Sequence, residues 1–81
     1  MPGARQHLDE VDLRILEVLD KLSRPARPKL IAEEAGLDVR RVAAKMRKLR
    51  RLGLVERVGE GEYVITDRGR EVLQEQVALP A

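Results

Sequence analysis

The sequence predicts a mainly α-helical domain with one small β-hairpin: three helices form a core, two short strands follow, and a fourth helix comes last. Three observations carry this expectation. Apolar residues recur every three and four positions in two long segments, which marks amphipathic helices. Proline and glycine cut the chain between those segments. After Gly53 the periodic pattern gives way to two short β-prone runs, LVERV and EYVIT, around Gly59-Glu60-Gly61.

Taken in order, Leu8, Val11, Ile15, Leu16, Val18, Leu19 and Leu22 set out one buried stripe of a first helix. The following SRPARP carries two prolines in six residues, so no helix runs through it, and the segment has room for a short strand. Pro28 suits the first turn of a short second helix with Leu30, Ile31 and Ala35 inward and Gly36 as its left-handed stop. Asp38 stands as the N-cap of a third helix, residues 39–52, with Val39, Val42, Ala43, Met46 and Leu49 as its apolar face and Gly53 just past its end. Thr66 caps a last helix from Asp67 to about Ala78, with Val72, Leu73 and Val77 inward. Residues 1–7 read as a disordered tail and 8–78 as a single domain.

Composition narrows the function classes. Leu, Val and Ile number 24 of 81 residues, enough for a folded core, though a domain this size buries only about 60–65% of its unfolded surface. That thin margin favours a homodimer, with Leu13, Leu52 and Leu79 as apolar side chains that a monomer core does not absorb. With no cysteine and one histidine, His7, neither a disulfide framework nor a histidine metal cluster is available, and no cofactor is expected. No signal peptide and no membrane-length apolar run is present, which reads as a cytoplasmic protein without a membrane partner. Tyr63 is the sole aromatic residue, too little for stacking single-stranded bases. The absence of asparagine and the 37% charged residues lean toward a thermophilic source. No nucleophile and base stand at suggestive spacing, so the protein is not expected to be an enzyme.

Charge is segregated. Residues 1–37 carry a net −1, residues 38–52 a net +6 and residues 53–81 a net −3. Seven like charges on one helix, Arg40, Arg41, Lys45, Arg47, Lys48, Arg50 and Arg51, repel one another and call for a polyanion. Met46 is core filler.

The string IAEEAGLDVRRVAAKMRKLRRLGLVERV, residues 31–58, resembles the core of the winged helix-turn-helix superfamily of transcriptional regulators. The opening LDEVDLRIL is similar to the start of leucine-responsive-regulator-type domains, and YVITDRG before a final helix resembles small prokaryotic regulators of the MarR and phage-repressor-like kinds. The resemblance implies sequence-specific binding of double-stranded DNA, with helix 39–52 as the major-groove recognition helix. The second reading it admits is a winged-helix protein-protein interaction module of a larger replication, transcription or membrane-remodelling assembly.

On a helical wheel the direction opposite Val39, Val42, Ala43, Met46 and Leu49 is shared by Arg41, Ala44 and Lys48, with Arg40 and Lys45 beside them. Arg40, Arg41 and Lys45, near the helix start, are the base-reading candidates, and Ala44 is placed to meet a thymine methyl. Lys48 and Arg51 suit phosphates, whereas Arg50 points to the buried side and snorkels or pairs locally. Lys29, at the start of the second helix, is a further phosphate candidate. Arg57, in an otherwise acidic hairpin, either meets DNA or lies across from Tyr63.

Overall fold

The structure is a computed structural model that describes residues 8–78. Its elements run α1 (Glu10–Leu22), α2 (Pro28–Ala35), α3 (Val39–Arg51), β1 (Val55–Val58), β2 (Glu62–Ile65) and α4 (Asp67–Ala78). The expected tail at residues 1–7, His7 within it, and Leu79 lie outside the described residues.

Local chemistry explains each boundary. α1 begins at Glu10 rather than Leu8 because Asp9 is its N-cap: Asp9 Oδ1 accepts from the Asp12 N–H at 2.9 Å and Asp12 Oδ2 accepts from the Asp9 N–H at 3.0 Å. Pro28 opens α2 and Gly36, at φ 70°, closes it. Asp38 Oδ1 accepts from the Arg40 N–H at 3.1 Å to start α3. α3 stops at Arg51, one residue before the expected end. There the Leu54 N–H donates to the Leu49 carbonyl at 2.9 Å and the Gly53 N–H to the Arg50 carbonyl at 3.0 Å, with Gly53 at φ 78°.

The hairpin pairs antiparallel with Val55 opposite Ile65 and Arg57 opposite Tyr63. The SRPARP connection supplies a third, single-residue rung, in which Ala26 and Tyr63 exchange backbone bonds of 3.0 and 2.8 Å. Thr66 ties the start of α4 to the residues just before β1. The Thr66 hydroxyl donates to the Gly53 carbonyl at 2.7 Å and accepts from the Gly69 N–H at 3.0 Å. A Cβ at Gly69 would stand 2.2 Å from the Leu54 carbonyl oxygen, so only glycine lets the α4 backbone come so close.

Ile15, Leu16 and Leu19 of α1, Ile31 of α2, and Val42, Met46 and Leu49 of α3 meet Leu54, Val55, Ile65, Val72 and Leu73 in one buried core. Leu13 and Leu52, expected as a surplus apolar surface, are partly buried and pack against that core. Val39 is the one large hydrophobic side chain exposed among the described residues. Among the described residues, the apolar surplus expected at Leu13 and Leu52 is therefore packed against the protomer's own core. No helix among the described residues is long and apolar enough to cross a membrane.

Candidate nucleic-acid interface

α3 owes its place to three inward side chains, Val42, Met46 and Leu49, each at most 1% exposed. Stepping about 100° per residue from them sets Arg40, Ala44, Arg47 and Arg51 on the opposite side. All four are exposed. Val39, Ala43 and Arg50 take one flank, and Arg41, Lys45 and Lys48 the other.

This phase differs from the sequence expectation. Val39 and Ala43 were expected inward but are exposed, Val39 by 42%. Including them in the apolar sector tilted the wheel toward Lys48 and away from Arg47. Arg50, expected on the buried side, is likewise exposed. The reason is that α3 packs its inward residues between α2, α1 and β1, leaving the flank that carries Val39, Ala43 and Arg50 uncovered.

The opposite flank faces α1, and there the two lysines find carboxylates. Lys45 Nζ stands 2.6 Å from Asp9 Oδ2 and 3.6 Å from Asp12 Oδ1, and Lys48 Nζ stands 2.7 Å from Asp12 Oδ2. Asp12 is completely buried, whereas the Asp9 side chain is 53% exposed. The Lys45 ammonium, with the Asp12 N–H, holds the Asp9 carboxyl well below its ordinary value of 3.8. Its own pairing with Asp9 raises Lys45 above its ordinary 10.5, against the opposing pull of burial. An ammonium withdrawn from a buried carboxylate leaves that charge under-compensated, a cost of about 3 kcal/mol. Both lysines are thus bound to α1 rather than presented to solvent.

The arginines are different. Among the described residues Arg40, Arg41, Arg47, Arg50 and Arg51 take part in no ion pair, and all five are exposed. The basic stretch therefore presents five outward charges instead of seven. Arg47, one of the seven charges of the run and without a predicted role, stands on the exposed face beside Arg40 and Arg51. Taking the phase from Val42, Met46 and Leu49 alone would have found it.

The remaining candidates lie apart from α3. Lys29 is exposed at the second residue of α2, beside a shallow depression also lined by Arg24, Arg27, Glu33 and Glu62. Arg57 is exposed on β1 across from Tyr63, near a turn that carries Glu60. Among the described residues no group of three or more His, Cys, Asp and Glu side chains is placed to hold a metal ion.

The fold has counterparts among known proteins. The structure is similar to that of a candidate transcriptional regulator protein from Pseudomonas aeruginosa, 26% identical with a TM-score of 0.77, over 84% of this chain and 49% of that one. It is also similar to ZitR from Lactococcus lactis, a zinc-responsive MarR family member, at 18% identity and a TM-score of 0.71, over 96% of this chain and 57% of that one. A second structure, of wild-type ZitR, gives 14% identity and a TM-score of 0.66, over 91% of this chain and 53% of that one. The chain spans about half the length of these proteins. No curated protein matches it. The model of one family, described as winged helix-turn-helix phage repressor, matches residues 5–80, nearly the whole sequence. The chain belongs to that winged helix-turn-helix family.

Proposed function

We propose that the chain is a sequence-specific double-stranded DNA-binding regulator of transcription, which acts by occupying an operator and carries out no chemistry. The observation that supports this best is the outward face of α3: five exposed, unpaired arginines on thirteen residues of helix. An α-helix fits the major groove of B-DNA, and an arginine there pairs bidentately with guanine or neutralises phosphate. Arg40 and Arg41, in the first turn, are the base readers, while Arg47, Arg50 and Arg51 hold phosphate. Ala44, between Arg40 and Arg47 on the exposed face, leaves room for a base edge or a thymine methyl. Lys29 and Arg57 are secondary phosphate contacts.

Operator half-sites related by a two-fold axis, each bound by one protomer of a homodimer, complete this reading, together with a cytoplasmic place of action in a prokaryotic cell. Selection of bound duplexes from a random library tests it. A recovered motif with affinity that falls as salt rises supports the proposal, and paired motifs about one helical turn apart report the two-fold arrangement. Recovery of no motif, with no salt-sensitive binding to any duplex, overturns it in favour of docking to an acidic protein.

A further inference from the structure

The outward arginines leave one buried group unused. Asp12 belongs to α1, yet it is 0% exposed and makes its ion pairs with α3. We propose that Asp12 is a positioning residue for DNA recognition: by holding Lys48 and Lys45 against α1 it fixes the roll of α3 and withholds two cations from the duplex, which leaves affinity and discrimination to the arginines. This role rests on the reading of α3 as the DNA-binding helix.

Three features argue for it. A capping box alone does not require a buried acid, since its N3 side chain has only to reach back to the N-cap N–H. Asp12 begins the same helical stripe as Ile15, Leu16 and Leu19, so an apolar residue at this position would be the ordinary choice for packing. Its two oxygens are also used unequally. Oδ2 accepts from Lys48 at 2.7 Å and from the Asp9 N–H at 3.0 Å, whereas Oδ1 makes no hydrogen bond and has Lys45 Nζ 3.6 Å away. Both ammonium groups are thereby needed to balance a carboxylate that water does not reach.

With Asp9, 2.6 Å from Lys45, the cluster holds two charges of each sign. A phosphate that captured Lys48 would gain a solvent-exposed, salt-screened contact and strand Asp12, and one that captured Lys45 would break its 2.6 Å pair with Asp9 and leave buried Asp12 Oδ1 with no cation beside it. The lysines therefore stay on α1. Lys48 nonetheless lies next to the outward face, on the flank shared with Arg41. Released, it and Lys45 would add attraction to any duplex regardless of sequence. Binding by arginine, in contrast, combines charge with the planar geometry that reads guanine. Withholding the lysines lowers indiscriminate affinity more than specific affinity.

The test measures the salt dependence of binding by the full chain to a selected duplex and to a random duplex of equal length. The proteins are wild type, Asp12→Asn, Lys48→Ala and the triple variant Asp12→Asn/Lys45→Ala/Lys48→Ala, each checked for folding by circular dichroism. Lys48→Ala should keep the wild-type log–log slope. Asp12→Asn should steepen it by about 1–2 units and tighten the random duplex about tenfold, narrowing the ratio between the two duplexes, and the triple variant should reverse both changes.

A wild-type slope that drops by about one unit in Lys48→Ala places that lysine on phosphate and overturns the proposal while DNA binding stands. So does an unchanged slope in folded Asp12→Asn. If Asp12→Asn does not fold, Asp12→Leu takes its place, since an apolar side chain suits this stripe: losing the carboxylate should steepen the slope by about 1–2 units, and no steepening overturns the role. Failure of the wild type to bind any duplex overturns the DNA-binding reading itself, and this role with it.

Discussion

Arg47 and Lys48 are neighbours on one turn of one helix and carry the same charge, yet their surroundings are opposite. Arg47 is exposed and unpaired among the described residues, whereas the Lys48 ammonium sits 2.7 Å from a carboxylate that is wholly buried. The difference arises outside α3. α1 packs along the Lys48 flank with Asp9 at its N-cap and Asp12 in its first turn; nothing comparable covers Arg47. A run of like charge is thus not uniformly available to a ligand, because the fold uses part of it internally.

Charge reversal at the two positions should break this pair apart most clearly. Lys48→Glu removes the cation and sets a second carboxylate against Asp12, so it should cost about 3 kcal/mol and lower the melting temperature by roughly 10–20 °C. Arg47→Glu, at an exposed site, should change stability by about 0.5 kcal/mol or less. Thermal melts followed by circular dichroism measure both. Equal melting temperatures would mean that the Lys48–Asp12 pair contributes nothing.

DNA binding should show the reverse ranking. Arg40, Arg47 and Arg51 changed together to Ala should remove one base reader and two phosphate contacts, flattening the log–log salt slope by about 2 units while the melting temperature holds. With Arg47, Arg50 and Arg51 of a protomer on phosphate and Lys29 and Arg57 as secondary contacts, the wild-type slope is expected at about −3 to −4.5, shallower than the seven cations of the basic stretch would give. A slope near −6 from one protomer would return the lysines to the DNA.

How much of this was legible in the sequence varies by residue. Asp38 and Thr66 announce their helix starts, and Pro28, Gly36 and Gly53 mark α2 and the end of α3, because caps and left-handed stops are local chemistry; the Asp9 cap was masked by the apolar stripe that begins at Leu8. The hairpin register followed from the glycines around Glu60. The phase of α3 was only half legible. Val39 and Ala43 fit the apolar stripe by spacing, but whether such flanking residues are covered depends on which neighbour packs there, which one helix's pattern does not contain. Asp12 was the least legible, since an acid in the first turn of a helix ordinarily faces water and the dipole explains it. Its signal was its place three, four and seven residues before Ile15, Leu16 and Leu19. An acid in phase with the core, matched by basic residues at 45 and 48 on another helix, marks an interhelix pair.

Asp9 offers a milder lever on the same cluster, and pH reads it. Its folded-state value is depressed, so its contribution to stability is present above about pH 3.8 and is lost as pH falls through the lower folded value. Lys45 is raised, so its contribution is complete below about pH 10.5 and is lost as pH climbs through the higher folded value. Between those limits both are constant. At pH 6 Asp9→Asn should melt about 2–5 °C below wild type, a small effect because the Asp9 side chain is half exposed and its pair is screened. That gap should narrow as pH is lowered from about 4 toward 2. A gap that does not narrow would belong to the cap and not to the charge.

The smallest effect is expected in the hairpin, where Arg57 repeats the contrast of α3 with the signs changed. Arg57 is exposed and pairs across the sheet with Tyr63, but the strands and turn around it carry Glu56, Glu60 and Glu62, so residues 55–65 have a net charge of −2. A phosphate approaching Arg57 meets that acidic field within a Debye length, about 8–10 Å at physiological salt, and much of the single attraction is cancelled. Arg57→Ala should therefore weaken duplex binding by about twofold or less and change the salt slope by under about half a unit, well short of Arg41→Ala. Glu60→Lys should do more in the opposite direction, because it removes a repulsive charge at the turn and adds an attractive one. If Arg57→Ala instead costs more than Arg41→Ala, the hairpin enters a groove despite its acids, and the exposed arginines of α3 are not the dominant contact.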